Sequence, residues 1–306
     1  MKTVEIDIAG KRNTHEVSRK ALTEALDIPF RDLRPIFSIS QVATIFARGK
    51  GVVMNLGVIK MLITHDRVWI GNTDDDEVTG LIVPGLAKAI KADTAGVDFE
   101  LRVMEFALNH KLSKMKRTLE DLEKSLNRML KRVTTYYDDE SLEKLLLLKK
   151  KLSRFEIILK ENEAAALEVL DDDEELMDLC VSQKVKKKKK IDFDEIESIL
   201  ESFTEQLERL SYRLEHMKEN IDDTQEIIAL KLQNRRNHII RYDLLATLVT
   251  ALFSLLAVVT GLYGMNIRNN LEQNHQAFWA IVIGFIIFFL VFTVGTFWYL
   301  KRRKIL

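Results

Sequence analysis

The residues best placed to do chemistry stand near the C-terminus. Read in steps of three and four, Gln233, Arg236, Ile240, Asp243, Thr247, Thr250, Ser254, Ala257, Gly261 and Gly264 fall on one helical face, and past Ile240 each of them is polar or small. Most positions between them are Leu, Val or Phe, with Ala246, Ala251 and Thr260 as exceptions. The stripe runs into Gly264-Met265-Asn266, where an apolar run stops without a charge. Small and hydroxyl residues also let helices pack closely in lipid. Asp243 favours a water-lined path, because an ionisable group at the edge of an apolar run, in register with hydroxyls, is costly unless it meets water or an ion. A carboxamide carries donors and an acceptor but no formal charge, so a ring of Asn266 side chains can hydrogen-bond the waters of an ion that keeps its shell. Mg2+ is such an ion, since it dehydrates reluctantly. Weak binding also permits release, which conduction requires.

These residues need a membrane around them, and the chain supplies one candidate span on either side of the motif. Leu244 to Tyr263 and Ala277 to Leu300 carry no charge, and each is long enough to cross the hydrocarbon layer. Arg235, Arg236 and Arg241 precede the first span and Lys301-Arg302-Arg303-Lys304 follows the second, whereas Arg268, Glu272 and His275 are alone in the connection. Basic flanks stay inside, so both termini are expected on the cytoplasmic or matrix-equivalent side of a cell or organellar membrane. Phe278-Trp279 and Trp298-Tyr299 sit where interfacial aromatics belong. Two spans cannot enclose a pore. A path along the polar face therefore requires the helix to be repeated about an axis, as a homo-oligomer embedded in lipid.

Upstream, the organisation follows from what is missing. The 306 residues include 46 basic and 46 acidic ones, a balance that gives no bias towards nucleic acid. Cys180 is the one cysteine, which excludes a disulfide framework and a CxxC redox motif. Neither Gly nor Pro occurs from Val97 to Thr260, and roughly 160 residues without either breaker read as nearly all helix. Residues 1–98 read as a small mixed α/β domain with strands at Val4–Ile8, taken as an edge strand, and at Gly51–Leu56, Ile59–Thr64 and Val68–Ile70. Ser18–Leu26 reads as a short helix and His65 as a hairpin-turn residue. Residues 99–183 supply two amphipathic helices, Phe99 to Val133 and Ser141 to Leu170, expected as an antiparallel pair on the sheet. A Lys-rich linker is expected over 184–191, a stalk helix over 192–243, the first span over 244–264, an outer loop over 265–276, the second span over 277–300 and a basic tail over 301–306.

The stalk carries its own pattern. Phe193, Ile196, Leu200, Phe203, Leu207, Leu210, Leu214, Met217, Ile221 and Ile228 recur at heptad spacing, with Thr224 in the one polar slot. Such a stripe is either a helix buried in its own domain or a coiled-coil stalk, and the unbroken run into the apolar segment favours the stalk. Before the linker, Asp171-Asp172-Asp173-Glu174 forms a carboxylate cluster suited by hardness to Mg2+, although its spacing matches no defined binding loop. The N-terminus alternates and carries acids, so neither a secretory signal nor a transit peptide is visible in it.

Tyr263-Gly264-Met265-Asn266 between two C-terminal spans resembles the signature of CorA-type magnesium channels. Arg31-Asp32-Leu33-Arg34, Val52-Val53-Met54-Asn55-Leu56 with Ile59-Lys60, Leu170 to Glu174 running on to Met177, and Ile221-Asp222-Asp223-Thr224 continuing to Asn237-His238 are similar to the mitochondrial and plant branch. The resemblance covers nearly the whole chain. It implies an α+β protein, a funnel-shaped homopentamer in which the α/β domain, stalk and first span surround a central Mg2+ path. It further implies that Gly264, Met265 and Asn266 form a selectivity ring, that Arg236 forms a constricting basic ring, and that Asp243 lies at the inner gate. Carboxylates of the N-terminal domain bind Mg2+ and bias closure in that family, which makes Asp171, Asp172, Asp173, Glu174, Asp222 and Asp223 candidate regulatory ligands. Arg268 beside the motif and Gln233 in place of an acid are departures from the family pattern.

Transport of Zn2+, Co2+ or Ni2+ is the nearest alternative. Softer metals call for His or Cys ligands, and the polar face has none, which leans towards Mg2+. A membrane-anchored coiled-coil tether accounts for the stalk and spans but leaves the polar stripe and Gly-Met-Asn without a role. No P-loop, HExxH or nucleophile with a base is present, so neither an enzyme nor an organic cofactor is expected.

Overall fold

The computed structural model describes residues 2–16, 19–37, 42–71, 73–92, 96–135, 139–188, 190–265 and 275–302. Two compact units divide within one long helix, residues 1–224 forming the first and 225–306 the second.

Six short strands build the first unit's sheet: β1 Lys2–Asp7, β2 Arg12–Glu16, β3 Thr44–Arg48, β4 Gly51–Asn55, β5 Lys60–Ile63 and β6 Arg67–Ile70. The spatial order is β2-β1-β6-β5-β4-β3, and every pairing is antiparallel. The expectation of an edge strand at the N-terminus is thereby corrected. β1 lies between β2 and β6, with Val4 opposite both Thr14 and Ile70, because Arg12–Glu16 folds back as the true edge. His65 does stand in the β5–β6 turn, where the Thr64 hydroxyl accepts from the Arg67 amide and donates to the Arg67 carbonyl. Gly49 turns β3 into β4 at φ +59°, and any side chain there would strike the carbonyls of Leu26 and Asp27.

Every residue of β4 and β5 is buried, because helices cover both faces of the sheet. Helices α1 Arg19–Leu26 and α2 Arg34–Phe37, with the turn before α2, cover one face, packing Leu22, Leu33 and Ile36 onto Val53 and Leu62. The other face carries the main core. There a π-helical turn at Val78–Ile82, α3 Val83–Lys91, α4 Phe99–Thr135, α5 Asp139–Leu170, α6 Asp173–Leu179 and α7 Val181–Val185 join the N-terminal part of α8, which runs Asp194–Tyr263.

The heptad stripe packs inside this unit. Ile196, Leu200, Phe203, Leu207, Leu210, Leu214, Met217 and Ile221 are all buried in the same core cluster as α4 and α5. Over this stretch α8 is a core helix of its own domain, which is the reading the unbroken run had disfavoured. Polar bridges flank the seam as they flank a helical bundle: Lys116 with Gln206 at 2.6 Å, Arg213 with Glu123 at 2.6 Å, and Lys218 with Glu156 at 2.8 Å. Lys218 and Lys160 hold the Glu156 carboxyl below its usual range.

The expected Lys-rich linker also needs correction at its start. Lys184 and Val185 belong to α7, Lys184 pairs with Asp178, and Lys186 donates to Asp98 at 2.5 Å. The Gln183 amide closes the segment by donating to the Asp192 carbonyl at 2.7 Å and accepting from its N–H at 2.9 Å. Beneath it lies Glu100, fully buried on α4, which accepts from both the N–H and the hydroxyl of Ser182. Burial raises the Glu100 carboxyl pKa; its hydrogen bonds to Ser182 only partly counter this.

Two outcomes test this packing. Leu207→Ala is expected to cost about 2–5 kcal/mol by opening a core cavity, whereas Tyr212→Ala, at a 72% exposed position of the same helix, should stay near zero. Denaturant unfolding followed by circular dichroism compares them, and equal losses would contradict burial of the stripe. Because the folded-state pKa of Glu100 is raised, its contribution to stability is fully present below the unfolded value of 4.5 and is lost as pH rises through the folded value. Glu100→Gln keeps one acceptor for the Ser182 N–H, so it should hold or raise stability at neutral pH and flatten that pH dependence; a large loss at neutral pH would show that the ionised carboxylate is needed.

Candidate functional site

In the second unit, α8 continues to Tyr263 and α9 spans His275–Arg302. Both are long and apolar enough to cross a membrane. They lie against each other through one face of each. Leu252 is the buried residue of the apolar span of α8, with Leu245, Leu248, Leu256 and Val259 half-buried on the same side. On α9 the half-buried residues are Ile281, Val282, Phe285 and Phe289, and the rings of Phe253 and Phe289 stand 6.1 Å apart.

This packing decides where the polar stripe points. Leu252 sits two residues from both Thr250 and Ser254, about 200° around an α-helix, so the two stripes occupy opposite faces of α8. Asp243, Thr247, Thr250, Ser254, Ala257 and Gly261 are all exposed, as are Arg236 and Ile240 before them. The polar face is therefore the one that α9 leaves uncovered.

Two of the three hydroxyls on that face are oriented. Thr250 donates to the Ala246 carbonyl at 2.9 Å and Ser254 donates to the Thr250 carbonyl at 2.9 Å. Each spends its proton on the helix backbone, so what remains outward is lone pairs. A hydrated cation turns the hydrogens of its waters outward, and acceptors are what those hydrogens need. No cavity neighbour lies within 4 Å of a Cβ built on Gly261, whereas one on Gly264 would come within 3.3 Å of the Thr260 carbonyl oxygen. The Gly264 N–H completes the helix by donating to that same oxygen at 2.9 Å. Gly264 and Met265 are thus placed at the end of α8, both exposed, while Asn266 and the loop that follows lie outside the described residues.

Between the domain core and the span, α8 exposes large apolar side chains. Ile227, Leu230, Leu232, Ile239 and Tyr242 are each about half exposed or more. Five such residues in the turns before a membrane make a surface that asks for a partner. At the far end of α9 the Arg302 guanidinium stacks 5.2 Å over the Trp298 ring, joining a cation to an interfacial aromatic.

The regulatory carboxylates are arranged differently from a closed metal site. Asp171, Asp172, Asp173 and Glu174 are exposed, and Asp172 caps α6 by accepting from the Glu174 N–H at 2.9 Å. Asp222 pairs with Lys149 of α5 and Asp223 is exposed. Among the described residues, no three His, Cys, Asp or Glu side chains converge on a common point. The sequence reading missed a separate cavity in the first unit around Lys111 and Arg154, because its lining comes from segments more than a hundred residues apart and shares no motif.

Comparison with known proteins agrees along the chain. A family model described as "Magnesium transporter MRS2-like" matches residues 2–236. The "Magnesium transporter MRS2-A, chloroplastic" of Oryza sativa subsp. indica is 25% identical over 332 residues, covering 99% of this chain and 69% of that protein. The "Mitochondrial inner membrane magnesium transporter MRS2" of Yarrowia lipolytica is 29% identical over 304 residues, covering 91% of this chain and 71% of that protein. Among solved structures, the complete CorA magnesium transporter from Methanocaldococcus jannaschii superposes with a TM-score of 0.68 at 17% identity, over 96% of each chain. That likeness is one of fold: a soluble N-terminal domain, a long helix and two apolar C-terminal helices.

The polar face can be tested against the packing reading. Thr250→Val and Ser254→Ala remove outward acceptors while sparing the face that meets α9. If ions pass along the stripe, the double substitution should lower cation flux into proteoliposomes by about tenfold, the scale of one or two net hydrogen bonds. Unchanged flux with intact assembly would make the stripe a packing surface only.

Proposed function

The chain belongs to the MRS2-like family of magnesium transporters, and from that premise we propose that it conducts Mg2+ passively across a membrane as a homo-oligomer, since an uncharged, acceptor-lined path suits an ion that keeps its waters. The observation that carries this reading is the orientation of α8: its hydroxyl face points away from α9, its own second span, with the Thr250 and Ser254 protons turned inward.

In the proposed assembly, copies of α8 surround an axis and α9 lies outside. We take the number of copies to be five, as the family resemblance implies. The exposed apolar residues from Ile227 to Tyr242 then meet their counterparts on neighbouring copies, which would remove them from water. Arg236 sets a basic ring below the membrane, Asp243 a carboxylate ring at its edge, and Ile240 a hydrophobic one between them. Thr247, Thr250, Ser254, Ala257 and Gly261 line the path, and Gly264, Met265 and Asn266 form its outer ring. An ion that keeps its waters needs acceptors and donors at hydrogen-bond range rather than direct ligands, and a carboxamide ring supplies both without holding the ion too tightly. Movement inward is driven by the potential, worth about 4.6 kcal/mol per 100 mV for a divalent ion.

Regulation by Mg2+ on the N-terminal side belongs to the same reading. Because no three carboxylates converge within one chain among the described residues, any sensing site built from Asp171, Asp172, Asp173, Glu174, Asp222 or Asp223 would draw on a neighbouring copy. Both termini are taken to face the cytoplasm or matrix. Transport of Zn2+, Co2+ or Ni2+ is disfavoured by the absence of His and Cys from the polar face, and a tether leaves its hydroxyl orientation without a purpose.

Asn266→Ala is expected to abolish Mg2+ uptake into proteoliposomes while the oligomer still forms, read with Mg2+ and Zn2+ indicators and by light scattering. Uptake at the unmodified rate would sink the assignment of the outer ring, and Zn2+ uptake exceeding that of Mg2+ would reassign the cargo.

A further inference from the structure

A cavity of about 490 Å3 opens beside the β4–β5 turn, between α4 and α5 of the first unit. Its size is that of a small-molecule site. Leu56, Val58, Met115, Phe155, Ile157 and Ile158 supply apolar walls, with Thr118 as a neutral hydroxyl. Charge enters from three elements. Lys111 and Lys114 come from α4 together with His110, Glu77 from the segment before the π-helical turn, and Arg154 and Glu161 from α5.

Lys111 is the unusual member. Its Nζ donates to the Leu56 carbonyl at 2.6 Å, which accounts for one of the three donors of an ammonium. Burial, with help from Lys114, pulls its pKa down to about 8 against the opposing carboxylates of Glu77 and Glu161. Lys114 is paired with Glu77, whose other oxygen lies 3.6 Å from His110 Nε2. At neutral pH Lys111, Lys114 and Arg154 therefore face the carboxylates of Glu77 and Glu161, an excess of one positive charge. One anionic head satisfies that excess, and a polyphosphate would overfill it. The walls are mostly branched aliphatic and offer few groups to read the edge of a nucleobase, but they suit a hydrocarbon body.

We propose that this cleft binds a small amphiphilic carboxylate of the medium-chain fatty-acid class, its head on Lys111 and Arg154 and its alkyl chain against Met115, Phe155 and Ile158. Nothing in ion conduction requires such a site, and its failure would leave the proposed transport untouched. The head adds to the buried amine a counter-charge beyond that of Glu77 and Glu161, and the chain removes apolar wall from water.

Octanoate titrated calorimetrically into the full chain in lipid nanodiscs, with empty discs as reference, tests the site. One saturable site per chain is expected, weakened at least about tenfold by Lys111→Met and by Arg154→Gln, a change of about 1.4 kcal/mol. Arg154 is exposed, so its substitution leaves the fold in place, and the thermal midpoint checks the Lys111 variant. Affinity should also fall between about pH 7 and about pH 9 as Lys111 loses its proton, and that fall should shrink in Lys111→Met. No heat beyond the empty discs, affinity indifferent to both substitutions, equal binding of 1-octanol, or displacement of octanoate by ADP would each overturn the proposal.

Discussion

An oxygen or nitrogen carried into hydrocarbon has to be hydrogen-bonded, and much of this chain's second unit depends on that constraint. α8 meets it twice. Its backbone is satisfied by being one helix without a breaker before Gly261, and its Thr250 and Ser254 hydroxyls are satisfied by the Ala246 and Thr250 carbonyls of the same helix. The consequence is chemical as well as structural. A hydroxyl that has donated inward presents only lone pairs outward, so a stripe that costs little in lipid is also suited to the outer hydrogens of a hydrated cation.

The same helix answers a different constraint in the first unit. Between Ile196 and Ile221 its apolar stripe completes a core with α4, α5 and the sheet, and ion pairs and amide bridges close the seam at its edges. After Ile228 the burial stops while the helix continues. Large apolar residues are still present from Leu230 to Tyr242, and among the described residues none covers them. A helix that changes from buried to uncovered without changing its secondary structure passes its unmet packing on to other copies, which is why the proposed function needs an assembly.

How much of this was legible in the sequence depended on whether the signal was periodic. The two spans, the polar face and the long helices are repeats of three and four, and a repeat can be read from one chain. Strands β2 and β3 were missed. Arg12–Glu16 is a polar edge strand with no alternation to see, and in Thr44–Arg48 Phe46 stands between the buried Ile45 and Ala47, so the run Ile-Phe-Ala hides the alternation. The heptad stripe was visible, but its partner was not, since periodicity records that a face is buried and never against what. The acidic cluster showed its charges without showing that Asp172 spends one of its oxygens on a helix cap.

By itself, the sequence determined the elements that local chemistry dictates: two uncharged spans of membrane length, basic flanks, a breaker-free helical region, and Gly264-Met265-Asn266 at the end of a polar face. The tertiary structure decided which surfaces those elements keep. It put Leu252 against α9 and so turned Thr250 and Ser254 away from it, buried the heptad stripe within its own domain, moved β1 off the sheet edge, and gathered Lys111 and Arg154 around one cavity. The physical reason is that local structure depends on neighbours a few residues away, whereas packing couples residues a hundred positions apart, and no single-chain period encodes that distance.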